Sequence, residues 1–147
     1  MPRDALDRDV HTPRPPKRVV SLVPSETETV VELAGMERLA GRTDYCIEPP
    51  EVAGVPSVGG TKSVDVDRVL ALEPDLVLAN QEENAKKPIE KLIDIGLTVH
   101  VSFPQTVTGA IDYLRAVAEL LHTPLDAPPI AAVVDAYRRA QERLADA

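Results

Sequence analysis

Four short apolar runs, at residues 19–22, 39–42, 75–79 and 98–101, stand between stretches whose apolar residues recur at helical spacing. That alternation constrains the fold more than any other feature of the chain. Strands separated by helices cannot pair as hairpins; they line up parallel and need helices on both faces of the sheet. Val19, Val20 and Leu22, closed by Pro24, read as a buried strand, and Asp75-Leu76-Val77-Leu78-Ala79 is the clearest one. Leu39-Ala40-Gly41-Arg42 and Thr98-Val99-His100-Val101 complete the set. The expected class is α/β: a Rossmann-like three-layer lobe with a mainly parallel sheet, followed by a long C-terminal helix.

The helix boundaries carry their own chemistry. Ser25 and Glu28 have the spacing of a capping box, ahead of a helix through Val30, Val31, Leu33 and Ala34 that stops at Gly35. Ser63 or Asp65 can cap a short helix through Val66, Val69 and Leu70, ended before Pro74. Pro88 suits a first helical turn, with Ile89, Leu92 and Ile93 inward and Gly96 as the stop. Gln105 or Thr106 opens a longer helix whose stripe is Val107, Ala110, Ile111, Leu114, Val117 and Leu121. A last helix is expected over 129–147, with Ile130, Val133, Val134, Tyr137 and Leu144 as its stripe. Residues 1–17, rich in Pro and charge, are expected to form a disordered tail, leaving 18–124 as the lobe.

Sixteen basic and twenty-four acidic residues give a net charge of −8, which disfavours nucleic acid and anionic membranes as partners. No apolar run approaches the roughly 20 residues of a membrane span. The first residues have no apolar secretory core, so the sequence as written reads as cytoplasmic; a start codon misplaced in the gene would make it periplasmic or cell-surface. Cys46 is the single cysteine, which leaves no internal disulfide.

Parallel strands joined by right-handed crossovers put all their C-terminal ends on one edge, where open α/β sheets bind ligands. The loops at that edge carry Pro24 and Ser25; then Thr43, Asp44, Tyr45, Cys46 and Glu48; then Asn80, Gln81, Glu82, Glu83 and Asn84; and finally Ser102, Phe103 and Pro104. The turn Gly59-Gly60-Thr61-Lys62 can join them. No dinucleotide fingerprint, P-loop or nucleophile elbow is present. His11, His100 and His122 are scattered along the chain and read as structural or solvated. The chain is therefore expected not to be an enzyme.

At these residues a resemblance becomes specific. Arg18-Val-Val-Ser-Leu-Val-Pro-Ser-Glu-Thr-Glu28, Ala40-Gly-Arg-Thr-Asp-Tyr-Cys46 with Pro49-Pro50, Val58-Gly59-Gly60, and Val69-Leu-Ala-Leu-Glu-Pro-Asp-Leu-Val-Leu78 resemble successive blocks of class III periplasmic binding proteins. These are the cobalamin- and ferric-siderophore-binding components of ABC importers. Gly59-Gly-Thr-Lys62, Asn80-Gln-Glu-Glu-Asn84 and Phe103-Pro-Gln-Thr-Val107 are similar to the helical backbone metal receptor subgroup. The similarity covers about residues 18–121.

The resemblance implies two lobes flanking a rigid helix. Residues 129–147 would be that helix, and the second lobe would be absent from this chain. It implies no intrinsic cofactor and a metal chelate (cobalamin, haem or ferric siderophore) bound in the cleft by Tyr45, Cys46, Thr61, Lys62, Asn80, Glu82 and Glu83. Where some relatives read Cys-x-His-Pro, this chain has Cys46-Ile47-Glu48-Pro49, so Cys46 and Glu48 become candidate metal contacts. Asp67 aligns with an acidic residue that docks such lobes onto arginines of the permease. Two other readings stay open at this point: a cytoplasmic regulatory or interaction module derived from the lobe, and a small nucleotide-binding α/β domain. If the last helix is left uncovered, its stripe would favour a homodimer.

Overall fold

The computed structural model describes residues 3–124 and residue 139. Its sheet contains β1 (Val19–Ser21), β2 (Leu39–Gly41), β3 (Leu76–Asn80) and β4 (Val99–Ser102) in the order β2-β1-β3-β4. All three pairings are parallel. Among residues 3–124, four α-helices accompany the strands: α1 (Pro24–Ala34), α2 (Val66–Ala71), α3 (Lys86–Ile95) and α4 (Val107–Leu121).

Side chains alternate across the strands and build two cores. Val20, Leu22, Val77, Ala79, Val99 and Val101 pack with Val69 of α2 and with Ile89 and Leu92 of α3. On the opposite face, Val19, Leu39, Leu76 and Leu78 pack with Val30 of α1 and with Val117, Leu120 and Leu121 of α4. The result is the expected three-layer lobe. The helix expected over 129–147 lies outside the described residues, apart from Arg139, which is helical.

Most helix ends follow the sequence reading. Asp65 caps α2 by accepting from the Arg68 amide, and Thr106 caps α4 by accepting from Gly109. Gly96, with φ at 104°, closes α3 in the left-handed region. Two ends differ. α3 begins at Lys86, two residues before Pro88. The capping box at Ser25 and Glu28 does not form: α1 starts at Pro24, its N-cap is Val23, and no side chain caps it. Proline's fixed φ suits the first helical position and moves the start one residue upstream, so Ser25 is already inside the helix.

Within the expected tail, part of the chain makes defined contacts. Residues 3–12 pack along β4 and α4. The Ala5 amide donates to Val101 O at 2.7 Å, the Val101 amide donates to Asp4 Oδ2 at 3.2 Å, and Arg8 Nη2 donates to Val99 O at 2.8 Å. Val10 is buried, and the Thr12 hydroxyl donates to Leu120 O at 2.6 Å. β4 is an edge strand, and an uncovered edge exposes a row of unpaired amides and carbonyls. Charge and proline alone argue for mobility; the partners offered by β4 decide otherwise.

Candidate functional site

The chain passes from β1 outward to β2, then returns past β1 to β3. The strand order therefore reverses between β1 and β3, and a crevice opens at their C-terminal ends. Asn84 organises this crevice. It is 3% exposed, and its Oδ1 accepts from the Asn80 amide at 2.8 Å. Its Nδ2 donates to Leu22 O at 3.0 Å and to Thr61 O at 2.9 Å. One amide side chain thus ties together the loop after β1, the glycine turn and the loop after β3. Asn80 shapes the last of these, because its Oδ1 accepts from the amides of Glu82 and Glu83.

The glycine turn is built for close approach. Gly59 has φ of 105°, and a Cβ there would meet Ser63 O at 2.7 Å. Gly60 lies beside the Tyr45 ring: a Cβ at position 60 would stand 3.5 Å from the ring carbon Cε2. Lys62 follows and donates from Nζ to Glu82 O.

Four of the sequence-predicted residues meet here. Lys62, Asn80, Glu82 and Glu83, with Phe103 and Pro104, line an open cleft of about 570 Å³. Tyr45 is 65% exposed on the loop after β2, and Ile47 is 67% exposed beside it. Thr61 is half-buried, with its carbonyl held by Asn84. Asp67 is exposed in the first turn of α2, which starts at the same edge of the sheet and leads back toward β3.

Cys46 does not join them. It is 1% exposed, and its sulfur lies 3.0 Å from the Thr27 hydroxyl, 3.2 Å from the Thr43 hydroxyl and 3.4 Å from the Thr43 amide. Glu48 is exposed, so the pair expected as metal contacts is split between core and surface. Among the described residues, no three His, Cys, Asp or Glu side chains are arranged to hold a metal ion. The thiol instead ties the loop after β2 to α1, as a small buried hydrogen-bonding group.

Beneath the cleft sits a group that sequence reasoning assigned no role. Glu26 is 1% exposed; the Ser102 hydroxyl donates to its Oε1 at 2.5 Å, and its Oε2 has no partner. Burial pushes this carboxyl well above its ordinary value; the Ser102 bond opposes the shift, and Glu83 adds to it. The spacing Asn80–Asn84 after a strand was the signal that could have found the loop clamp. Nothing local signals Glu26, because its partner lies 76 positions away. His11 and His122, far apart in sequence, line one surface cavity, and His122 Nε2 is 2.7 Å from Thr12 O.

Comparison with known proteins places this arrangement. Residues 19–147 match the family model described as periplasmic binding protein. The chain is 39% identical over 98 residues to the ABC transporter substrate-binding lipoprotein YvrC of Bacillus subtilis, covering 65% of this chain and 31% of that protein. It is 30% identical over 104 residues to a vitamin B12-binding protein of Photorhabdus laumondii, covering 71% of this chain and 38% of the relative. A crystal structure of a periplasmic haem-binding protein from Pseudomonas aeruginosa superposes with a TM-score of 0.76 at 28% identity, over 89% of this chain and 46% of that one. The chain thus spans about a third of the two sequence relatives and about half of the structural one. With a matching model over nearly the whole described lobe and the same parallel sheet, the chain belongs to the periplasmic binding protein family.

Proposed function

We propose that this chain forms one lobe of a substrate-binding protein that presents a metal chelate (cobalamin, haem or a ferric siderophore) to an ABC importer, without catalysing a reaction. The observation that carries this reading is the open cleft at the strand-order reversal, where Lys62, Asn80, Glu82, Glu83, Phe103 and Pro104 converge. A broad, shallow surface of this kind suits half of a cleft that a second lobe closes. The chain spans 31% and 38% of the two sequence relatives and 46% of the structural one, in keeping with part of a larger binding unit.

Tyr45 and Ile47 add apolar contact surface at the rim, and Lys62 with Glu82 and Glu83 supplies charge for polar substituents. Thr61 frames the cleft through its backbone. Asp67 is exposed in the first turn of α2, where the dipole favours a carboxylate, and in this reading it pairs with arginines of a permease. The lipoprotein relative supports a working place outside the cytoplasmic membrane, in contrast to the cytoplasmic expectation.

A melting-temperature panel tests the reading. Cyanocobalamin, haemin and a ferric hydroxamate siderophore are compared with ATP and NAD. Stabilisation by at least one chelate and by neither nucleotide is expected; stabilisation by nucleotides alone would overturn it.

A further inference from the structure

The Ser102 hydroxyl has two acceptors within reach and one hydrogen to give. It stands 2.5 Å from Glu26 Oε1 and 3.2 Å from Ala79 O. Both contacts are satisfied together only when the carboxyl is protonated: Glu26 then donates to Ser102 Oγ, and Ser102 donates to Ala79 O. Once ionised, Glu26 takes the serine hydrogen and Ala79 O loses that donor. Its Oε2, which has no partner, then shares a buried charge. The protonated acid is the form this packing suits. Burial accordingly raises the carboxyl well above its ordinary 4.5, with the Ser102 bond opposing the shift and the Glu83 charge adding to it.

Ser102 links this proton to the cleft. It is the register partner of Asn80 on β3, and its carbonyl accepts from the Gln81 amide at 2.9 Å. The Asn80 side chain receives the Glu82 and Glu83 amides, so a shift of Ser102 carries the loop 80–83 with it. In that loop, Glu83 is the charged neighbour that acts on Glu26, and Lys62 shares its cleft. A second cavity, which Ser102 also lines, carries Arg3, Asp4, His100, Asp112 and Tyr113. On α1 itself, Glu28 is exposed, and Thr27 bonds the Cys46 sulfur.

We propose that Glu26 is a positioning residue whose proton sets the loop 80–83, so that the cleft takes its chelate tightly with the acid protonated and weakly once it ionises. That loop supplies Asn80, Glu82 and Glu83 to the cleft wall. Ionisation draws Ser102 toward the carboxylate and repels the like charge of Glu83, and both effects move the wall. The change in affinity rests on the chelate-binding reading of the cleft; the motion of the loop does not.

The test follows the Glu26 side-chain carboxyl and the amides of residues 81–83 by NMR in the full chain, from pH 4.5 upward. The amides should show a step at the pH where the carboxyl titrates, and Glu26→Gln should lack it. In Ser102→Ala the carboxyl should titrate at higher pH, because the bond opposing its shift is gone, while the amides follow it far less. This variant carries the test alone if Glu26→Gln does not fold. Cyanocobalamin and ferrioxamine B keep their charge over this range. The affinity for either should fall about tenfold across the step in the native chain, the worth of one hydrogen bond, and stay level in Glu26→Gln. The proposal is overturned if the amides shift equally in Glu26→Gln, if Ser102→Ala leaves their step intact, or if native affinity is level across it. No chelate binding at all, with the loop step present, counts against the chelate reading and not against the coupling.

Discussion

Ser102, the last residue of β4, donates its hydroxyl to Oε1 of Glu26 in the first turn of α1 at 2.5 Å, and Oε2 of the same carboxyl has no partner. One hydrogen bond does not replace the hydration that a carboxylate loses on complete burial, so folding pushes the Glu26 carboxyl well above its ordinary value of 4.5. A carboxyl whose value rises on folding gives stability that is fully present below the unfolded value and is lost as pH rises through the folded one. Glu26→Gln keeps the shape and removes the titration. The melting temperature of Glu26→Gln relative to the native chain should therefore climb as pH rises from about 4.5 toward neutrality. Parallel curves for the two proteins would contradict this.

His100 works in the opposite sense. Burial lowers its value below the ordinary 6.5, so its contribution is present above that pH and is lost as pH falls through the folded value. His100→Phe should retain stability on the acid side, below pH 6.5, where the native chain loses it. Urea unfolding of both proteins across that range measures the difference.

Asn84→Ala should be among the most damaging single changes near the cleft. It removes bonds to Leu22, Thr61 and Asn80 and leaves their backbone groups facing a cavity. The expected cost is about 2–4 kcal/mol by urea unfolding. A cost within about 0.5 kcal/mol, as for ordinary surface changes, would show that the three segments hold themselves together.

Cys46 should behave as a core thiol. With 1% exposure it should react with a disulfide reagent only as fast as the chain opens, and Cys46→Ala should leave chelate affinity unchanged while costing stability. Rapid labelling of the native protein would return Cys46 to the ligand-facing surface.

Much of the lobe could be read from residues close together in the sequence. Asp65 and Thr106 cap the helices they precede, Gly96 ends α3, and β3 differs from the expected run by one residue at each end. These features depend on chemistry a few positions apart. The failures share the opposite property. Thr27, which meets the Cys46 sulfur, is 19 positions away, and Val101, which binds Asp4, is 97 positions away. Pattern alone placed Cys46 on the loop after β2 but could not show that its thiol turns inward to Thr27, nor which strand residues 3–12 would meet. At the cleft, the edge loops were legible as a set, since parallel topology sends them to one side. Which of their side chains point outward was decided by packing: Tyr45 does, and Cys46 does not.

The segment ahead of β1 offers a further check on that lesson. Asp4 is buried beside Arg8 and receives three backbone amides, so Asp4→Ala should leave the Arg8 charge and the β4 edge uncompensated. The expected loss is about 3 kcal/mol, with faster amide exchange at Val101. Unchanged exchange at that amide would mean that the strap does not protect the edge.

The central claim is that the edge of the sheet presents a chelate-binding surface through Tyr45, Lys62, Glu82 and Glu83. The most direct measurement is the dissociation constant of the chelate that stabilises the chain, determined by absorbance titration for the native protein, Tyr45→Ala and Lys62→Glu. Both substitutions fall on exposed side chains, so both variants should melt close to the native temperature. The account predicts saturable binding that weakens about tenfold in each variant, the loss of one aromatic or charged contact. No saturable binding of cobalamin, haem or ferric siderophore by the native chain, or equal affinity in all three proteins, would contradict it.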